Sequence, residues 1–597
     1  MQEPNKRKYV GFRGNDFSNE DVKLYRSPSC VNMWKNYQNS DGAKVETRAG
    51  ETLIGEFGLQ IFGLFFFDIT TAGNTITKTL VHAGTKLYLW TNYPTLPAAK
   101  TELFTGMNMR ESHAFVFNNT LFIKDGINYL EYDGTTIKEV VGTIPLTSNN
   151  RTPEGLSYDV DGNPTLAKYQ DINLLQAKKK NAFVGDGKST NYYLDTNNLD
   201  PKSTFLMTAL INDSVTAIED IDFTVNRTTG VVMPTTASIF PAPSTAGTAN
   251  IVITYSKTIA GHRDQVNKCT ITTGFDNRIF IAGNQDYPNT LLHSELEDPR
   301  YIRDTSYEPE GLDLAPIKTI IAGDEVLWVV KEPSQNNTTV FYHMPTIDST
   351  YGKIYPKNQS NISTGCLSTG LNFGDDIVFL SSEGLKAISG SINSKKLLDD
   401  RSSLVNPKMT TEIGYANAKL EEYKGYLLCL VNSHIYLADS RQISSGDFAN
   451  GDDQYEWYYW EMPNNITYIK EIKGDLYLGN AAGNIYVLNG TTDNGVAINS
   501  KWTNPNDNFG TDTKLKNANK LGGTAEVAPL GADITVRYRT DKGEWKTAGT
   551  YTDLKGYIVY KIKATKWVKI QLEFSSTKPF AIYSNTLESY YGSYVKR

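Results

Sequence analysis

The sequence holds little of what reactive chemistry needs. Cysteine occurs four times in 597 residues, at Cys30, Cys269, Cys366 and Cys429. No two stand close enough for a zinc knuckle or a redox pair. Free buried thiols, in a chain made in a reducing compartment, are the expectation that remains. The six histidines, His82, His113, His262, His293, His343 and His434, are scattered. They form no His-Glu-x-x-His and no Cys-His signature, and no Gly-x-Ser-x-Gly elbow occurs. Long apolar runs are missing too. The longest, around 61–67, is far too short for a bilayer. Met1 to Lys8 carries charge with no apolar stretch behind it, so no secretory leader is expected. A basic excess is absent: 59 Lys and Arg stand against 66 Asp and Glu, a net charge of −7. Tight nucleic-acid binding needs a dense basic face, whereas a mildly acidic wall lets a polyanion pass without sticking. Helix-favouring stretches are scarce, and only 416–423 hints at a helical turn.

What is present is a recurring turn that feeds a short apolar run. Copies begin at Gly84, Asn118, Asp276, Gly323, Gly374, Lys424 and Gly474. The first apolar residues of the last five are Ile279, Val326, Ile377, Leu427 and Leu476, in steps of 47, 51, 50 and 49. A period near fifty with tight turns predicts four-stranded blades, hence an all-β protein with a β-propeller of six to seven blades. The step of 34 from Leu87 to Leu121 leaves the first blade incomplete or closed by a distant strand.

Between Leu121 and Ile279 the step is 158, too long by about two blades. Residues 151–258 nearly fill the excess and contain strand-like runs such as Asp222–Asn226 and Ile251–Tyr255. They read as a small β-domain set into a blade-to-blade loop, which surface loops accept at little entropic cost. After the last blade, Ile534–Arg539 and Trp567–Phe574 alternate with period two, as half-buried strands do. The expected organisation is a docking segment at 1–55, propeller at 56–150 and 259–496, the inserted domain at 151–258, and a β-sandwich-like domain at 497–597.

Several motifs resolve into ordinary structure. Gly185–Thr190 resembles a phosphate loop, but Ala182 stands where that loop needs glycine and a strand follows. Asp159–Asn163 lacks the glycine and carboxylate spacing of a calcium loop. The pairs Asp324–Glu325 and Asp375–Asp376 fall in blade turns. A glycosidase would need two such carboxyl groups to converge. Tyr455–Trp460 reads as a strand packing aromatics on both faces, and Lys178–Lys180 as a solvated hinge.

The opening residues resemble a particular family. Gly14-Asn-Asp16-Phe17, then Val31-Asn32-Met33, then Arg48-Ala-Gly50 are similar to the start of the tail stabilisation, or nozzle, proteins of short-tailed bacteriophages. The inserted domain and the Tyr-rich ending resemble phage tail modules as well. The resemblance implies a virion structural protein assembled in the bacterial cytoplasm. About six copies would ring the tail axis below the portal and its adaptor. They would extend the DNA channel, retain the genome and then release it, and meet tail fibre, spike or plug proteins. It implies no catalytic residue, cofactor or metal. Gly14, Asp16, Phe17, Val31, Asn32 and Met33 are the candidate docking contacts to the adaptor. A host-glycan-binding propeller is the alternative, and a polysaccharide-degrading enzyme a third.

Overall fold

Strand after strand in this chain turns back through two residues in the left-handed region. The pairs Asn118–Asn119, Asp276–Asn277, Lys424–Gly425 and Lys473–Gly474 have φ between 45° and 93°. Asn, Asp and Gly tolerate that conformation, and such turns match the twist of the strands they join. The structure, a computed structural model, describes residues 3–17, 22–38, 44–158, 163–165, 167–334, 337–349, 352–388, 398–444, 453–527, 533–551 and 555–594. Most of the calcium-like stretch at 159–163 lies outside them.

Seven four-stranded antiparallel sheets occur among the described residues, which makes the chain an all-β protein of propeller type. The signals at Asn118, Asp276, Gly323, Gly374, Lys424 and Gly474 each open the second strand of a sheet. The turn at Gly84 instead opens a third strand, Lys86–Trp90, so the step of 34 compares unlike positions. The stretch at 416–423 is not helical beyond a turn at Tyr415–Asn417. Strand Lys419–Tyr423 pairs with Tyr426–Val431, and that ladder overrides local helix preference.

The chain forms two units. One spans Arg110–Ile320. It holds the sheets beginning at His113 and Ile271, which share a core of Phe122, Tyr129, Ile281 and Ile302. It also holds the inserted domain, whose five-stranded sheet runs from Leu146–Arg151 to Ile251–Ser256 and packs a three-stranded sheet over Phe183, Tyr192, Phe223 and Phe240. Lys178–Lys180 is no hinge: it opens the strand Lys178–Phe183, with Lys179 buried. In the phosphate-loop-like stretch, Asp186 Oδ1 accepts from the Lys188 and Ser189 N–H groups at 2.9 and 2.8 Å, an ordinary turn.

The other unit joins Met1–Met109 to Ile321–Arg597. Its last four-stranded sheet takes three strands from 466–490 and borrows the fourth, Gly50–Glu56, from the start of the chain. The register runs Asn484↔Glu56, Val487↔Thr52 and Leu488↔Glu51. The remaining strands make two sheets. Sheet I contains Asn5–Val10, Met33–Trp34, Val45–Thr47, Lys514–Val527, Lys555–Trp567 and Phe580–Tyr594. Sheet II contains Ser29–Val31, Ser500–Thr503, Ile534–Thr540, Lys546–Tyr551 and Ile570–Ser576. Both sheets contribute to one core that includes Trp34, Trp502, Trp567 and Leu587. The expectation of a separate docking segment at 1–55 is therefore corrected. Those residues supply strands to the C-terminal sheets, because Tyr9, Cys30, Met33 and Val45 are apolar at the inward positions.

Candidate functional site

The candidate docking residues meet where the opening stretch, the sheet of residues 419–461 and sheet II come together. Gly14 lies against Trp457, where a β-carbon would overlap the Trp457 carbonyl. Beside it the Asn15 side chain clamps Cys30, accepting from its N–H at 2.7 Å and donating to its carbonyl at 2.9 Å. Asp16 is buried, 3.9 Å from the Arg26 guanidinium. Arg26 pairs with the buried Glu456 at 2.8 Å, and Arg13 reaches the same carboxylate at 3.2 Å. The Phe17 N–H donates to Leu404 O at 2.8 Å, and its ring meets Tyr459 edge-on at 6.2 Å.

Asn32 adopts φ of 56° and serves as a hub. Its amide nitrogen donates to Asn499 O at 2.9 Å, and its Oδ1 accepts from the Glu461 N–H at 2.8 Å and from Arg48 Nε at 3.1 Å. Met33 is fully buried. Gly14, Asp16, Asn32 and Met33 are thus consumed inside the chain, which corrects their expected exposure to an adaptor. Packing explains it: a β-carbon, charge or thioether at these positions already faces protein. Phe17 and Val31 remain half-buried at the edge.

Sequence reasoning passed over the residues that lock this junction. Arg48 is fully buried and donates to both carboxylate oxygens of Asp493 at 2.8 Å each. It also donates to the carbonyls of Ala49 and Glu461 at 2.9 Å. Next to it Glu51 is buried. One of its oxygens accepts from the Asn464 amide, and the other has no hydrogen-bond partner among the described residues. Burial, with Asp493 adding repulsion, pushes its carboxyl up to about 7.

Alongside the junction a cleft of about 440 Å³ opens, lined by Val31, Glu461, Asn499, Lys501, Asp533, Thr535 and the run Ser575–Thr577. Its floor is one row across sheet II: Val31, Lys501, Ser575 and Thr535 stand opposite one another in register. The neighbouring row, Cys30, Trp502, Phe574 and Val536, points into the core. Lys408 sits 3.4 Å from the Tyr459 ring centre, and burial lowers its ammonium from the ordinary range. His434 Nδ1 lies 2.6 Å from Glu412, whose other oxygen accepts from Tyr436. The Tyr455–Trp460 run is buried throughout, so its aromatics serve the core.

A segment-by-segment charge count would have marked this region. Residues 497–597 carry 16 Lys and Arg against 9 Asp and Glu, a net of +7 within a chain of −7.

No family model matches this chain, and no curated protein matches it. Among solved structures it is similar to BBS1N in complex with ARL6DN, at 10% identity over 75% of this chain and 98% of that one, with a TM-score of 0.26. A glycoside hydrolase is similar at 8% identity, covering 89% and 98%, with a TM-score of 0.21. An exo-β-1,3-galactanase from Phanerochaete chrysosporium is similar at 8% identity, covering 88% and 100%, with a TM-score of 0.18. Glycoside hydrolases among these neighbours correct the expectation that the chain is not an enzyme, and that exclusion is withdrawn. Likeness at this level assigns no residue a role.

Proposed function

We propose that this chain is a structural component of a bacteriophage virion tail, a nozzle ring of about six copies that extends the DNA channel below the portal and adaptor. In this reading the ring retains the packaged genome, releases it at infection, and meets fibre, spike or plug proteins.

One observation carries the reading: the start of the chain is woven into its end. The strands Asn5–Val10, Ser29–Val31, Met33–Trp34 and Val45–Thr47 lie in the C-terminal sheets, and Gly50–Glu56 completes the sheet of residues 466–490. A body tied this way yields to axial load only when whole strand ladders break. The stretch that bears the family resemblance, Gly14 to Gly50, is the stretch that makes the tie.

Particle images of the purified chain test it. Six-fold rings are expected, and a persistent monomer with affinity for sugars contradicts it. The cleft on sheet II favours a second reading, host-glycan binding, because Lys501, Asp533 and several hydroxyls converge there. Binding on a glycan array, lost in Lys501→Ala, would support that one.

A further inference from the structure

The outer surface of sheet I is assembled from four strands in register. One row reads Lys6, Glu588, Lys520, Lys561. The next reads Lys8, Thr586, Gly522, Val559. Lys563 follows Lys561 on the same side of its strand, as the alternating burial of Lys561, Ile562, Lys563 and Ala564 requires. All five lysines are exposed. Lys6 approaches Glu588 at 3.7 Å. Among the described residues the side chains of Lys520, Lys561 and Lys563 make no hydrogen bond or ion pair.

Two features of this face are costly for a chain in isolation. Lys520 stands directly opposite Lys561, and like charges facing across a ladder are destabilising. Val559 and Val10 leave 62% and 46% of their surface in water on the same face. A surface that combines unmatched cations with bare valines suits a covering protein. The valines gain burial, and the lysines gain an acidic counterpart. A bare polyanion would use the lysines and leave the valines wet.

The counterpart is present in the same sequence. Residues 57–496 carry 34 Lys and Arg against 49 Asp and Glu, a net of −15. We infer that the outer face of sheet I, centred on Lys520 and Lys561, docks on the acidic blade region of a second copy of this chain. Such a contact joins two different patches, and head-to-tail contacts of that kind build rings when the rotation closes. The inference rests on the ring reading and adds the surface and the force that would assemble it.

Mass photometry of the full chain at about 50 mM and about 500 mM NaCl tests this, since salt at the higher level screens exposed charges. The wild type is expected to assemble at low salt and to lose roughly tenfold or more in affinity at high salt. The variant Lys520→Glu/Lys561→Glu/Lys563→Glu should stay monomeric at concentrations where the wild type assembles. Its melting temperature should be unchanged or raised, and a Lys→Gln set at the same positions guards against misfolding. Wild-type assembly by both variants overturns the inference and leaves the ring reading standing. Monomers under every condition sink both. Normal assembly with lost binding to a duplex DNA fragment assigns the face to a polyanion and overturns the inference too.

Discussion

Arg48 and Asp493 are 445 residues apart in sequence and meet in a two-pronged ion pair, with both contacts at 2.8 Å and both side chains out of water. This pair fastens the first fifty residues to the turn that follows the strand Asn484–Gly490. Removing one partner from such a pair leaves a buried charge uncompensated, which costs about 3–5 kcal/mol. Arg48→Met should therefore lower the thermal transition of the unit that contains it, and Asp493→Asn should do the same. A scanning-calorimetry trace in which neither variant moves would show that the tie carries no load.

Glu51 makes the same junction sensitive to pH. Its folded carboxyl titrates near 7, above the ordinary 4.5. The folded state thus binds the proton more tightly than the unfolded chain does, and stability falls as pH rises between those values. The loss is roughly 3 kcal/mol across the interval, at about 1.4 kcal/mol per unit. Glu51→Gln keeps the hydrogen bond with Asn464 and removes the charge. Melting temperatures from pH 5 to pH 8 should fall in the wild type and stay nearly level in the variant.

Two glycines separate close packing from open strand. At Gly14 a β-carbon would overlap the Trp457 backbone, whereas at Gly274 nothing lies within 4 Å. Gly14→Ala should destabilise by about 1–3 kcal/mol or more, as overpacking does. Gly274→Ala should be neutral within about 0.5 kcal/mol. Urea midpoints of the two variants check the contrast.

The four cysteines are buried, and burial raises the thiols of Cys30, Cys269 and Cys429, that of Cys269 to about 11. Thiolate is the reactive form. A colorimetric thiol assay at pH 8 should therefore report none in the native chain and all four after denaturation.

The repeat was legible because each blade needs the same turn chemistry at the same place, and Asn118, Asp276, Lys424 and Gly474 all announce it. The break in that period drew attention to residues 151–258, and the strands Phe223–Asn226 and Ile251–Ser256 lie close to the strand-like runs read there. The role of the first fifty residues was not. Short runs such as Ser29–Val31 and Val45–Thr47 carry no periodicity, and they pair with strands more than four hundred residues away. Arg48 looked like part of a turn, since nothing local names Asp493 as its counterion. The basic face was hidden by the net charge of the whole chain, in which +7 at the end is outweighed by the blades.

A cryo-EM map of an intact phage tail containing this chain separates the proposed collar around a conduit from its alternatives. About six copies encircling the DNA path beneath the portal adaptor are expected, each with sheet I against the blades of its neighbour. Copies found singly at fibre tips, or turned so that the cleft of Lys501 holds host glycan, would contradict it.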